Sequence, residues 1–546
     1  MAEVELTRRE LIAAFLGSAV ASACKREPAR APIPGAVVDR AVEVGHKLRG
    51  GPLPRAQTVE PVDVLVVGAG VAGLSAAWRL MGAGVKDVRM VELEAEAGGT
   101  SRSGRNAVSA FPWGAHYLPA PLEDKGPVVR LLREMGAVTG VDAEGRPTFE
   151  ETLLIQEPEE RHYYRGHWYE GLYLRVGATP EDLAELERFD TRMNAFAAAK
   201  DAKGRKAFAV PTAHSSDDAE WTALDALSMA DWLTREGFRS SRLKWLVDYA
   251  CRDDYGATSE HISAWAGIWY FAARQDGHGE RSEGFLSWPE GNGRLVHQLR
   301  SALPPRVLER DVLVHTVEPG EHGCRVDALD ARTGQPRSFQ ARQVVLACPR
   351  FLAAHVVAPW RTARPGWMEA FSYAPWVVAN LTLSTPPESR GFPLAWDNVF
   401  QESKSLGYVV ATHQQLRQYE RGPTVLTWYL PMSGGDVKAE RQKSLSATYE
   451  DWEALVMADM RPAHPGITQQ VQRLEVMRWG HAMVRPTPGF MWGAARKAAQ
   501  ESLGRSLHFA HTDLGGLALF EEANWFGVKA AERVLAELGQ PSSSWL

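Results

Sequence analysis

The sequence predicts an α/β protein in which a doubly wound parallel sheet is interrupted, along the chain, by an α+β domain on a mixed sheet. Three observations predict it. The run Asp63-Val64-Leu65-Val66-Val67 is apolar in the manner of a strand buried on both faces of a parallel sheet. Ala72 to Met81 then follow helical spacing, with Leu74, Ala77, Trp78 and Met81 on one face, and a second strand, Val88-Arg89-Met90-Val91-Glu92, comes after Gly82 and Gly84. Finally, the strand texture returns at Val312-Leu313-Val314 and Gln343-Val344-Val345-Leu346-Ala347, and again from Leu507, between blocks that lack it.

At 546 residues the chain is long enough for two or more domains of roughly 100–200 residues. The pattern assigns 61–120, 285–360 and 480–546 to the parallel-sheet domain, and 121–284 with 361–479 to the second, substrate-binding domain. In the latter a helix is expected near Val128–Met135. The aromatic stretch Arg161–Tyr169, with His162 and His167, reads as a strand hairpin, and Trp-rich helices run to about residue 275. Residues 25–60, rich in proline, glycine, alanine and charge, read as a tether.

Hydrophobic residues make up 45% and charged residues 23%, a globular composition. A net charge of -6 without a basic stripe argues against a nucleic-acid partner. The 19 tryptophans fill cores or line an aromatic cavity. Cys24, Cys251, Cys324 and Cys348 form no CxxC pair and the histidines form no HExxH, so no metal site is expected.

The first residues read as an address. Thr7-Arg8-Arg9-Glu10-Leu11-Ile12 has the form of a twin-arginine signal, and Leu11 to Ala23 is apolar but too short to span a bilayer. Ala21-Ser22-Ala23 suits a signal peptidase, whereas Ala21-Ser22-Ala23-Cys24 also resembles a lipoprotein box that would tether the protein to a membrane through Cys24. An amphipathic or unstructured N-terminus is the competing reading. Export of a folded, cofactor-loaded protein, periplasmic or membrane-anchored on the extracytoplasmic side, is the expectation.

Gly68-Ala69-Gly70-Val71-Ala72-Gly73 is a GxGxxG placed after a strand and opening a helix, the context a dinucleotide fold requires. Gly68 permits the tight turn, Gly70 lets backbone approach a pyrophosphate, and Gly73 lets helix and strand pack closely. The helix N-terminus offers its free N–H groups to phosphates. Glu92 closes the second strand nineteen residues after Gly73, where its carboxylate can accept from ribose hydroxyls.

Beyond this unit, Glu94-Ala95-Glu96-Ala97-Gly98-Gly99-Thr100-Ser101-Arg102 resembles the ExxxGG(R) extension of the flavin-containing amine oxidase superfamily, which includes protoporphyrinogen oxidases and phytoene desaturases. Thr100 replaces the usual arginine, leaving Arg102 as its substitute. Phe111-Pro112-Trp113-Gly114-Ala115-His116-Tyr117 is similar to the family's stretch beside the isoalloxazine. Leu507-His508-Phe509-Ala510-His511-Thr512-Asp513 is similar to its last FAD strand, with Asp513 as the ribityl-side acid. Glu521–Ala531 resembles its closing helix, preceded by Phe520. The resemblance implies a discontinuous Rossmann-type FAD-binding domain with FAD as cofactor. Gly68, Gly70, Ala72, Gly73, Glu92, Gly98, Gly99, Thr100, Arg102, Trp113, Gly114, Ala115, Val314, Asp513, Phe520 and Glu521 are its expected contacts.

The family's lysine near the flavin is missing: the matching strand reads Tyr373–Leu381, and no lysine occurs from Phe351 to Ser403. His116 and His481 are the candidates for acid–base or positioning work, with a structural role for His481 as the alternative. Asp253-Asp254 and His261 either border the substrate pocket or lie on a solvated loop. Cys348 reads as a buried small residue, and Glu522 as a helix cap. With no second GxGxxG, the redox partner is expected to be oxygen, a quinone or an electron carrier. Three functions compete: an exported FAD-dependent oxidoreductase acting on a C–N or C–C bond of a small molecule or lipid, a lipid or polyene desaturase or isomerase, and a non-catalytic flavin-bound partner-binding protein.

Overall fold

A computed structural model of the chain describes residues 32–39, 42–275, 284–415, 422–540 and 542–546. The twin-arginine stretch and Cys24 lie outside them. Residues 35–546 belong to one compact unit.

The first strand, Glu60–Val67, pairs in parallel with Val88–Val91 on one side and with Pro336–Leu346 on the other. Leu308–Glu309 extends this sheet beyond Val88–Val91, and Leu507–Phe509 extends it beyond the second half of Pro336–Leu346, both in parallel. The first half of that long strand pairs instead with the antiparallel meander Gly323–Asp330 and Val312–Gly320. The fold class is the one the sequence predicts.

The helix Val71–Gly82 is buried on almost every side from Val71 to Leu80, more than its single apolar face suggests. The closing helix Phe520–Glu537 covers the other side. Ser75 accepts the Asn524 side-chain amide at 2.8 Å, and Arg79 reaches Glu532 at 3.0 Å. The two backbones approach so closely that a Cβ on Gly527 would sit 2.3 Å from the Ala72 carbonyl oxygen.

The second domain is built on an eight-stranded mixed sheet. Its central pair is Tyr373–Leu383 against the fourteen-residue strand Val471–Val484. Thr424–Pro431, Gly407–Val410, Asp397–Phe400 and the hairpin Glu160–Tyr164 with His167–Glu170 complete one side. Helices Pro180–Ala198, Met229–Arg235, Ser241–Tyr255 and Ala264–Ala272 bury an aromatic core around Trp232, Trp265 and Trp269.

Two boundaries differ from the sequence reading. The stretch read as a tether contributes the edge strand Gly35–Val37, parallel to Leu474–Val476, and the helical turn Val42–His46. Three residues are too few to show strand periodicity, and the contact depends on glycine: a Cβ on Gly35 would lie 1.7 Å from the Leu474 oxygen. The boundary at 480 cuts through a continuous strand, so residues 480–484 stay with the eight-stranded sheet.

Candidate active site

The glycine turn and the second glycine pair build one cradle. Gly68 has φ +101°, and a Cβ there would lie 2.7 Å from the Ala347 oxygen, so the turn excludes other residues on two counts. A Cβ on Gly73 would lie 1.9 Å from the Gly68 oxygen. Gly70 differs, with nothing within 4 Å of its would-be Cβ. It forms an isolated bridge with Gly98, whose amide donates to Ala69 at 2.8 Å, and Gly99 packs over its Cα. The helix beginning at Val71 has no side-chain cap, leaving its first N–H groups for a ligand. Glu92 accepts the Ala69 amide at 2.6 Å and the Glu94 amide at 2.9 Å, and burial pushes its carboxyl above the usual value.

A second uncapped helix start, at Phe520, faces a cavity of about 120 Å³ between the domains. Thr100, Gly114, Ala115 and His116 form one wall and Ala518–Glu521 another. Trp376, Trp479, Ala482 and Met483 come from the central strand pair, and Tyr429 from the strand beside it. Gly114 is pressed onto Thr100, where a Cβ would sit 2.1 Å from the Thr100 oxygen. Asn292, 2% exposed, lines the cavity with its side-chain oxygen unbonded, a polar group available to a bound partner. Among the described residues the wall holds no lysine.

His116 stacks on Tyr429 with ring centroids 4.9 Å apart. Burial pushes its imidazole down to about 3, so it is neutral near pH 7 and serves as a polar contact rather than a charged acid. His481 lies elsewhere: it stacks on Phe351 at 4.0 Å and is not in the cavity wall. Burial, with Arg441 and Arg49 adding to it, pushes His481 to about 3 as well. Regular alternation would place Trp479 and His481 on one face; the register shift between Trp479 and Met483, opposite the Ala374–Trp376 stretch, breaks it, and His481 stacks on Phe351 instead.

Several expected cofactor contacts have other partners. Arg102 pairs with Glu94 at 3.2 Å and lies over Trp479 at 5.0 Å. Trp113 accepts the Trp479 indole N–H on its carbonyl at 2.6 Å. Asp513, 1% exposed, accepts the Arg350 amide at 2.7 Å and the Tyr373 hydroxyl at 2.6 Å, and pairs with His511 at 2.9 Å. Burial raises its carboxyl, but these partners outweigh that and hold it below its ordinary value. Val314 is buried in the core beneath the meander, and Ala72 is covered by the closing helix. Cys348, near Val67 and Gly68, has its thiol pushed up to about 12 by burial. Glu522 is no cap: it accepts the Thr212 amide at 2.5 Å and the Thr212 hydroxyl at 3.0 Å.

The carboxylates at 253 and 254 sit on no solvated loop. They end the helix Ser241–Tyr255 and line the cavity, with Asp254 paired to Arg274 at 2.6 Å. The sequence held the signal: Val247, Cys251 and Asp254 share one helical face, and all three are buried. His261 instead bonds Thr258 at 2.9 Å.

The sequence profile described as flavin containing amine oxidoreductase matches residues 71–535. The chain belongs to this family. Its cofactor is FAD, and the uncapped helix starts, the glycine cradle and the unbonded Asn292 oxygen fit that cofactor. An L-amino-acid oxidase of Protobothrops flavoviridis is 41% identical over 132 residues, covering 24% of this chain and 22% of that protein. The oxidoreductase PigB of Serratia sp. (strain ATCC 39006) is 22% identical over 293 residues, covering 51% of this chain and 41% of its own length. The chain thus spans less than half the length of these curated relatives. Putrescine oxidase bound to putrescine shares the fold at TM-score 0.63 and 17% identity, covering 88% of this chain and all of that one. A CLA-producing fatty acid isomerase from P. acnes shares it at TM-score 0.58 and 14% identity, covering 85% and 97%.

Proposed function

We propose that this flavoenzyme moves a hydride between the flavin and a C–N or C–C bond of a small-molecule substrate, and that it is exported folded by the twin-arginine route. One observation carries the redox reading. An aromatic-lined cavity forms where an uncapped helix start of the nucleotide domain meets the central strands of the eight-stranded sheet. When bound, FAD supplies hydride acceptance and donation. The chain's residues do the rest. The glycine cradle and the Val71 helix start hold the phosphates, the Phe520 helix start places partial positive charge at the cavity, and Trp376, Trp479 and Tyr429 exclude water and orient the substrate. Neutral His116, the Asp253–Asp254 carboxyls and the Asn292 side chain are among the polar groups within reach of a substrate.

Oxygen, a quinone or an electron-carrier protein takes the electrons in this reading. After the signal is removed the protein is periplasmic, or tethered through Cys24. The lysine-free wall supports a second reading, a desaturase or isomerase acting on a lipid. Anaerobic mixing of the holoenzyme with amines, amino acids and unsaturated fatty acids tests both. Bleaching of the visible flavin bands by one class assigns the substrate bond, and a flavin that none of them bleaches contradicts the redox proposal.

A further inference from the structure

A cavity of about 440 Å³ lies between the segment 47–53 and the helices Arg350–Val356 and Ala358–Thr362, and it shares no wall residue with the flavin cavity. Its wall holds the cations Lys47, Arg49, Arg361 and Arg364 and the imidazoles of His315 and His355, but no aspartate or glutamate. These residues converge from three places: the turn Lys47–Arg49, the strand Val312–Gly320, and the two helices with the residues that follow them.

The charges there have no counter-charge. Lys47, Arg49, Arg361 and Arg364 form no ion pair among the described residues. Two carboxylates of the neighbouring meander, Glu318 and Asp327, are held by Arg55 at 3.3 and 3.0 Å, and Asp327 also by Arg325 at 3.0 Å. His355 registers the imbalance: burial lowers its pKa, Arg364, Arg49 and Arg361 each push it down further, and no carboxylate offsets them. The three guanidinium groups therefore act on one point.

Part of the wall is also held in place. Arg361 donates from Nε to the His355 carbonyl at 2.6 Å and from Nη2 to the Thr316 hydroxyl at 3.2 Å and to the His315 carbonyl, which leaves Nη1 without a bond among the described residues. His315, 2% exposed, bonds Thr316 through Nδ1 at 3.0 Å. Its buried Nε2 has no hydrogen bond, while the Pro54 carbonyl favours the protonated ring. Cations gathered without an acid repel one another, and a bound anion relieves that repulsion. Guanidinium forks match the oxygens of a phosphate in particular. A phosphate also brings nearly two negative charges and three strong acceptor oxygens, where a carboxylate brings one charge.

We propose that this pocket binds a phosphate group, either of a free phosphate compound or of a lipid headgroup.

The test titrates the flavin-loaded protein with inorganic phosphate and pyrophosphate by calorimetry, against sodium chloride of equal ionic strength. In parallel the protein is floated with vesicles of phosphatidylglycerol or of phosphatidylcholine. Phosphate or pyrophosphate is expected to bind where chloride does not, and the double variant Arg49→Gln with Arg364→Gln to weaken that binding at least about tenfold. Binding to phosphatidylglycerol vesicles alone, with the same loss in the variant, assigns the headgroup. Both side chains are exposed, so the variant is expected to keep its Tm and flavin content; if it does not fold, Arg364→Gln alone is compared. Binding of neither phosphates nor vesicles, or binding that survives the variants, overturns the site. A variant that folds but loses its FAD would place these cations in the cofactor site and overturn it equally.

Discussion

The carboxylate of Glu92, at the end of the second parallel strand, accepts the backbone N–H of Ala69 inside the glycine turn at 2.6 Å. The acid and the turn are therefore one unit, and the Glu94 amide, donating to the other oxygen at 2.9 Å, ties in the segment that leads to the second glycine pair. Replacing Glu92 with glutamine sets an NH₂ group against one of these donors. Bonds to a charged acceptor contribute about 1.5–3 kcal/mol, so the FAD dissociation constant of Glu92→Gln is expected to rise at least about tenfold in apoprotein reconstitution. An unchanged constant would mean that Glu92 does not shape the cradle.

Packing of the two buried helices makes a stability prediction. In Gly527→Ala the new methyl meets the Ala72 oxygen at 2.3 Å and the Ser75 Cβ at 2.8 Å, and both neighbours are helix, not flexible side-chain ends. Overpacking of this kind costs about 1–3 kcal/mol. Its Tm should fall, while Gly366→Ala, with nothing within 4 Å, serves as the control that stays at the wild-type value. Equal melting of the two variants would contradict the contact.

Two adjacent carboxyls give the protein a pH signature. Burial pushes Glu521 and Glu522 each up to about 7 from an ordinary value of 4.5. Between these values the folded state holds protons that the unfolded chain has released. The contribution of the pair to stability is therefore full below about 4.5 and is lost as pH rises to about 7. Urea midpoints measured across that range should decline more steeply for the wild type than for Glu521→Gln with Glu522→Gln. Parallel slopes would rule out buried, proton-holding acids there.

The two histidines separate by location. His116→Ala opens the cavity wall beside Tyr429 and should shift the bound-flavin spectrum and lower turnover by tenfold or more, whereas His481→Ala, stacked on Phe351 outside the wall, should leave the spectrum unchanged. A shift from His481→Ala alone would reverse the assignment.

Much of the nucleotide domain was legible because its signals are local: the turn glycines, the apolar strands and the strand-end acid all lie within one βαβ unit. The substrate side was not, because its groups converge from distant segments. Glu160 and Asp397 become neighbours only through a parallel pairing that no local pattern announces. Arg274 reaches Asp254 from the turn that follows a different helix. Asp513 matched its motif, yet Arg350, Tyr373 and His511 take up its carboxylate. The strand Gly35–Val37 was hidden by its brevity.

The most direct test of the central claim is the visible absorbance of the purified protein, followed by release and identification of its cofactor. The account predicts two oxidised-flavin bands and released FAD, with both lost in a Gly70→Trp variant whose side chain fills the open space before the Val71 helix. A colourless protein that FAD cannot reconstitute would contradict it.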